Sequence, residues 1–224
     1  MTEDHNHDTH YECALYSEDQ SLHFYENIAG IDEWPYSWPD GEISYRLNNF
    51  TNDIKKESHQ IRAVTIALRA WRLYTDRIKF RRERNPYVTV DFDVSFEDLA
   101  HFDNKKGVLA HAYFPGQGEI SGDCHINDEW NWTTHSELQK LSTPPLVPIL
   151  IHEFGHSLGL RHDTQTMESI MYPSFDLGKK KNRLGPRDIQ RIQERYGVRH
   201  LSQWVLDHFE KRMDKGWDFD RLDK

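Results

Sequence analysis

The sequence predicts an α/β domain, one sheet with helices interposed between its strands, and three observations carry that expectation. In VTVDFDVSF (88–96), Val88, Val90, Phe92, Val94 and Phe96 alternate with other residues, the period of a half-buried strand. Beyond Thr51 and Asn52, the residues Ile61, Val64, Leu68 and Trp71 recur at three- and four-residue intervals, one face of a helix. VPILIHEFGHSLGL (147–160) is apolar, carries no proline after Pro148, and reads as a buried helix.

The elements follow in order. Residues 1–33 are acidic, bear His5, His7 and His10, and lack clear periodicity; they read as a flexible or loosely docked leader. The domain itself is expected over 34–200. GEISYRLNNF (41–50) is its first strand, and Thr51 or Asn52 is placed to cap the first helix. A short strand is expected around Ile78–Arg82, then the alternating strand above, then strands at 107–114 and 122–128. The apolar helix and a turn through SIMYP come next, and Pro186 opens a helix over 186–196. LSQWVLDHFEKRM, within the extension 201–224, is amphipathic and is expected to pack as a further helix.

Composition narrows the function. At 224 residues the chain holds one domain with a sizeable core. Its formal net charge of −9 argues against nucleic acid as the main partner. The run KFRRER (79–84) reads as a solvated strand end. No apolar stretch is long enough to span a membrane. The first residues, MTEDHNHDTHYEC, are polar, so there is no secretory signal here and the plain expectation is a cytoplasmic protein. Two cysteines, Cys13 and Cys124, make no disulfide framework; a monomer is the default.

The chemistry is concentrated in HEFGHSLGLRHDTQTMESIM (152–171). Residues four apart on a helix share a face, with Cβ atoms roughly 5–6 Å apart. His152 and His156 can therefore both reach one Zn²⁺ at about 2.0–2.1 Å. Gly159 can take a positive φ and end the helix, which lets His162 come in from the turn as third ligand. Three protein ligands leave a fourth position for water, the mark of a catalytic rather than a structural site. Glu153 stands beside a ligand and is placed to take that water's proton. The spacing H-E-x-x-H-x-x-G-x-x-H with a methionine turn is the signature of a zinc endopeptidase.

A second zinc site can be read from His101, Asp103, His111 and His125. Three histidines and one aspartate make a closed tetrahedral shell, hence a structural site pinning the loop 97–107 to the sheet. The bland alternative is four unrelated residues in a chain with 14 histidines.

From Trp34 to Gly197 these residues resemble the matrixins, the matrix-metalloproteinase branch of the metzincins (peptidase family M10). The resemblance is carried by HEFGHSLGL with MYPS, by GVLAHAYFPGQGEISGDCHIND (107–128) and by LGPRDIQRIQERYG (184–197). It implies a five-stranded mixed, twisted sheet with three main helices, and secretion. It implies that Met171 forms a hydrophobic base beneath the zinc ligands rather than ligating. It also implies that a substrate peptide pairs with backbone at Leu109 and Ala110 as an added strand. Pro173 to Phe175 would form the opposite wall, and Pro148, Ile149 and Phe175 an apolar specificity pocket, although these side chains could equally be core. One family calcium site is expected to be absent, because Asn127 stands where it would want Asp and the loop after His101 is short. For another, Asp91 and Asp123 occupy the corresponding places; they read equally as turn and strand-end aspartates. The family's inhibitory P-R-C-G-x-P-D segment is missing, so Cys13 reads as free and incidental.

The sequence thus predicts a zinc metalloendopeptidase acting on protein or peptide substrates. The competing expectation is a non-catalytic peptide-binding or scaffold module on the same fold, its open zinc position blocked by the leader. Glu153 favours the enzyme, since neither scaffolding nor metal storage needs it.

Overall fold

A computed structural model of the chain describes residues 11–16, 34–105, 107–116, 118–134, 143–175 and 182–215. The five expected strands are present as β2 (Gly41–Leu47), β3 (Ile78–Arg82), β4 (Phe92–Glu97), β5 (Val108–Tyr113) and β6 (Cys124–Asn127). They stand in the order β3-β2-β4-β6-β5. All neighbours are parallel except β5, which runs antiparallel to β6, so the sheet is mixed.

Two further strands extend the β5 edge. Tyr11–Tyr16 (β1) pairs parallel with β5, and Ser174–Phe175 (β7) pairs antiparallel with β1. Of the expected flexible or loosely docked leader 1–33, the described residues 11–16 are docked as this strand. A parallel pairing made across more than ninety residues leaves no turn signal in the sequence.

Helix α1 (Glu57–Arg72) and helix α2 (Leu146–Ser157) pack on the sheet. The inward face of α1 includes the expected Val64, Leu68 and Trp71, and the indole of Trp71 donates to the Ile151 carbonyl of α2 (2.8 Å). Every residue of α2 is buried, which explains why its sequence is apolar on all sides.

Two expectations shift. Helix α1 starts at Glu57 rather than after Thr51 or Asn52, with no side-chain cap at Lys56. Gln60 captures the preceding turn instead: its amide accepts from the Thr51 N–H and donates to the Thr51 and Ile54 carbonyls. Strand β4 starts at Phe92 rather than Val88, because Arg46 gathers the carbonyls of Asn85, Pro86 and Val88 into a turn. Helix α3 (Pro186–Tyr196) has proline at its first position, and the carboxylate of Asp188 accepts from the Gly185 N–H (2.7 Å). Helix α4 (Gln203–Lys215) seats Val205, Leu206, Phe209 and Met213 against the core. Among the described residues no helix is long and apolar enough to cross a membrane.

Candidate metal centre

Helical spacing brings His152 and His156 together on α2, with their Nε2 atoms 3.1 Å apart. Both rings are held from behind. Nδ1 of His152 faces the Ile170 carbonyl at 2.6 Å, and Nδ1 of His156 faces the Leu160 carbonyl at 2.7 Å. A carbonyl only accepts, so each Nδ1 must carry the proton and donate it. Each Nε2 is then left with a bare lone pair pointing at the other. Two lone pairs at that distance repel, and a cation between them turns the repulsion into coordination.

His162 completes the group. Gly159 takes φ +91° after the last turn of α2, and its N–H and that of Leu160 close on the His156 and Gly155 carbonyls. The chain then turns back and sets the His162 ring 4.8 Å from that of His156 and 5.3 Å from that of His152. Nε2 of His162 is buried and has no hydrogen-bond partner. The three donor atoms fall within 4.8 Å of one another. Burial, with its neighbours His152 and Arg191, pushes His162 down to about 3, and burial with the other two histidines holds His156 well below the usual histidine range. The rings are thereby kept neutral, the form that ligates. The residues fit a zinc ion, with an orphaned buried nitrogen as the direct observation.

Glu153, next to His152, is 1 % exposed. Met171 packs its thioether where a Cβ on Gly155 would stand, against the helix that carries His152 and His156. The turn that presents Met171 is tied to α3. Asp188 accepts from the Ser169 hydroxyl (2.5 Å) and the Ile170 N–H (2.7 Å), and Ser169 Oγ accepts from the Met171 N–H (3.0 Å).

Sequence reasoning missed an aromatic stack at the same place. The edge of Phe114 meets His156 (centroids 5.6 Å, 79°), and Trp34 stacks on Phe114 (4.6 Å, 11°). The Trp34 indole donates to the Pro115 carbonyl at 2.6 Å. No periodicity joins residues 34 and 114; a tryptophan at the start of the domain was the one available signal.

The second histidine group also assembles. His111 and His125 stand opposite each other on β5 and β6, and His101 comes from the 3-10 turn Leu99–Phe102. Their ring nitrogens lie 2.8 Å (His101–His125), 2.9 Å (His111–His125) and 3.2 Å (His101–His111) apart. Burial leads in lowering both His111, to about 2, and His125, to about 4, followed by the neighbouring rings. Asp103 follows two residues after His101. It sits at φ +53° with a largely exposed carboxylate, 3.5 Å from Lys105 Nζ, and the grouping is of three histidines.

Asp91 and Asp123 serve the sheet. Asp91 accepts from the Ser44 N–H and hydroxyl, both at 2.7 Å, and Asp123 accepts from the Asp93 N–H at 3.0 Å. Among the described residues neither falls in a cluster of three or more His, Cys, Asp or Glu ligand atoms. Cys124 is fully buried, and burial raises its thiol well above the usual range, so it is a packing residue. Pro148 and Ile149 are buried in α2.

The β5 edge of the sheet is paired. Glu12 stands opposite Val108 and Ala14 opposite His111, with a bulge between them, so β1 lies along Leu109 and Ala110. On its other side Tyr11 and Glu12 pair with Phe175 and Ser174. Strand β1 therefore fills the gap between the edge and the wall that the resemblance assigns to a peptide.

Comparison with known proteins agrees with this geometry. The peptidase M10 (matrixin) family profile matches residues 37–197. The chain is 35% identical over 191 residues to matrix metalloproteinase-18 of Xenopus laevis, covering 83% of this chain and 37% of that one. It is 34% identical over 187 residues to stromelysin-1 of Mus musculus, covering 80% and 37%. It is 31% identical over 172 residues to matrilysin of Felis catus, covering 74% and 62%. The chain thus spans little more than a third of the first two relatives and under two thirds of the third.

Proposed function

This chain belongs to the matrixin family, and on that premise we propose that it is a zinc-dependent endopeptidase cleaving internal bonds of proteins or peptides. The observation that carries the reading is the pair of opposed Nε2 lone pairs, 3.1 Å apart, on a helix that also buries a carboxylate beside them. His152, His156 and His162 would hold the catalytic ion. Zinc there supplies a Lewis acid that polarises the scissile carbonyl and makes a water acidic enough to react near neutral pH. Glu153 takes a proton from the attacking water and returns it to the departing amine as the C–N bond breaks. The backbone of Leu109 and Ala110 orients the substrate as an added strand. Pro148, Ile149, Pro173 and Phe175 are assigned to an apolar specificity pocket, which favours cleavage before residues such as Leu, Ile or Met. His101, His111 and His125 hold a structural zinc, with Asp103 as the fourth ligand assigned from sequence. Calcium at Asp91 and Asp123 gains no support from the bonds those carboxylates make.

One observation favours a second reading. Strand β1 pairs with the β5 edge on one side and β7 on the other, where a leader blocking substrate access would lie.

Cleavage of a mixed peptide library by zinc-loaded protein, with and without residues 1–33, is the deciding assay. Chelator-sensitive hydrolysis of internal bonds is expected. Inactivity of both forms with zinc verified in place would leave the scaffold reading standing.

The two histidine groups differ in their expected roles. His111 is 1 % exposed, so His111→Ala opens a gap in the interior and removes a ligand of the structural ion. It should lower the melting temperature by several degrees while the protein that remains folded keeps its turnover number. His152→Ala should do the reverse. An unchanged melting curve for His111→Ala in zinc-loaded protein counts against a structural ion.

A further inference from the structure

Of the triad His152, His156 and His162, His162 alone lies outside α2, so helix geometry does not place it. The residue that follows it is held on three sides. The Asp163 N–H donates to the Met171 carbonyl (2.8 Å), which ties the ligand loop to the methionine turn. Its Oδ1 accepts from the Gln165 N–H (2.9 Å), and its Oδ2 accepts from Arg187 Nε (2.7 Å). The Asp163 side chain is 2 % exposed, whereas that of Arg187 is 43 % exposed. A carboxylate is taken out of water here and matched to one guanidinium.

Arg187 is the second residue of α3, between the proline that opens the helix and Asp188. Consecutive side chains of one rigid turn therefore brace the site at two points. Asp188 holds the turn whose Ile170 carbonyl fixes the His152 ring. Arg187 holds the residue next to His162. Displacement of either brace is transmitted to a ligand through a single residue.

From this geometry we propose that Asp163 and Arg187 are positioning residues for the third zinc ligand, and that their ion pair sets how long the ion is retained. The inference rests on the zinc reading of His152, His156 and His162. It needs no contact between either residue and the metal. Removing partners that orient metal ligands costs about 10–100-fold in affinity or activity.

The test compares zinc loss from the full chain into excess chromogenic chelator for wild type, Asp163→Asn, Arg187→Gln and the double variant. Asp163→Asn keeps the backbone bond to Met171 and an acceptor for Gln165, so it isolates the charge facing Arg187. Each single variant is expected to release the ion about 10–100-fold faster, and kcat on a quenched peptide should fall while KM changes little. The double variant should lose zinc no faster than the worse single one, and Arg187→Lys should recover part of the loss. Multiplying effects in the double variant, or release within twofold of wild type in both singles, would overturn the proposal. So would a lowered melting temperature with an unchanged release rate, the outcome for residues that only stabilise the fold. Wild type that binds no zinc at this triad refutes the functional reading itself, a result seen before any variant is made.

Discussion

Replacing Glu153 by alanine should lower kcat by about 10²–10⁴-fold, the usual contribution of a general acid–base group, with the zinc content unchanged. The separation follows from where the residue stands. His152 and His156 have their Nδ1 protons taken by backbone carbonyls of residues 170 and 160, so their orientation does not depend on Glu153. Glu153 is 1 % exposed, and a buried carboxylate is tolerated only where it has partners or work to do. Truncating it removes a desolvated charge and leaves a small void; these effects oppose each other, so the melting temperature should move by only a few degrees. Glu153→Gln keeps the shape and removes the base, and should be as inactive as alanine. Zinc by elemental analysis and turnover on a quenched peptide are the two readouts. Activity within tenfold of wild type in either variant eliminates Glu153 as the proton carrier, whatever the metal does.

What was legible in the sequence divides by the range over which residues are related. His152 and His156 were readable because a helix turn converts a spacing of four into a shared face. The strand β4 was readable from alternation and α1 from its apolar face, whereas β5 and β6, buried along most of their length, carry little alternation. His162 and Met171 were readable only as members of a spaced pattern, since a glycine turn has no period of its own. The Asp163–Arg187 brace was illegible: an ion pair between a loop and a helix 24 residues on has no local signature. Gln60 displaced the expected cap at Thr51 by a side chain reaching backwards across nine residues, which propensity alone does not foresee. Asp103 is a case where spacing alone does not give position: it stands two residues from His101, and a left-handed backbone leaves its carboxylate largely exposed, 3.5 Å from Lys105 Nζ.

Strand β1 leads to the second large effect: deleting residues 1–33 is expected to lower KM for peptide substrates by about 10–100-fold with kcat nearly constant. A substrate adding to the β5 edge needs the N–H and C=O groups at Leu109 and Ala110, and β1 runs along that stretch while pairing with β7 on its far side. Only molecules with β1 displaced are competent, so the apparent KM rises by the inverse of that fraction. A segment carried on the same chain is taken to act at an effective concentration of about 1 mM. If the free segment binds with Kd of roughly 10–100 µM, that concentration leaves about 1–10 % of molecules open, which sets the range above. The segment supplied in trans should restore inhibition competitively. Cys13→Ala separates two causes. Inhibition carried by strand pairing leaves KM within about twofold of wild type in that variant, since the backbone is unchanged. Were Cys13→Ala alone to match the deletion, the thiol rather than the strand would be the inhibitor, and a KM unmoved by the deletion would mean that β1 leaves the cleft too readily to compete with substrate.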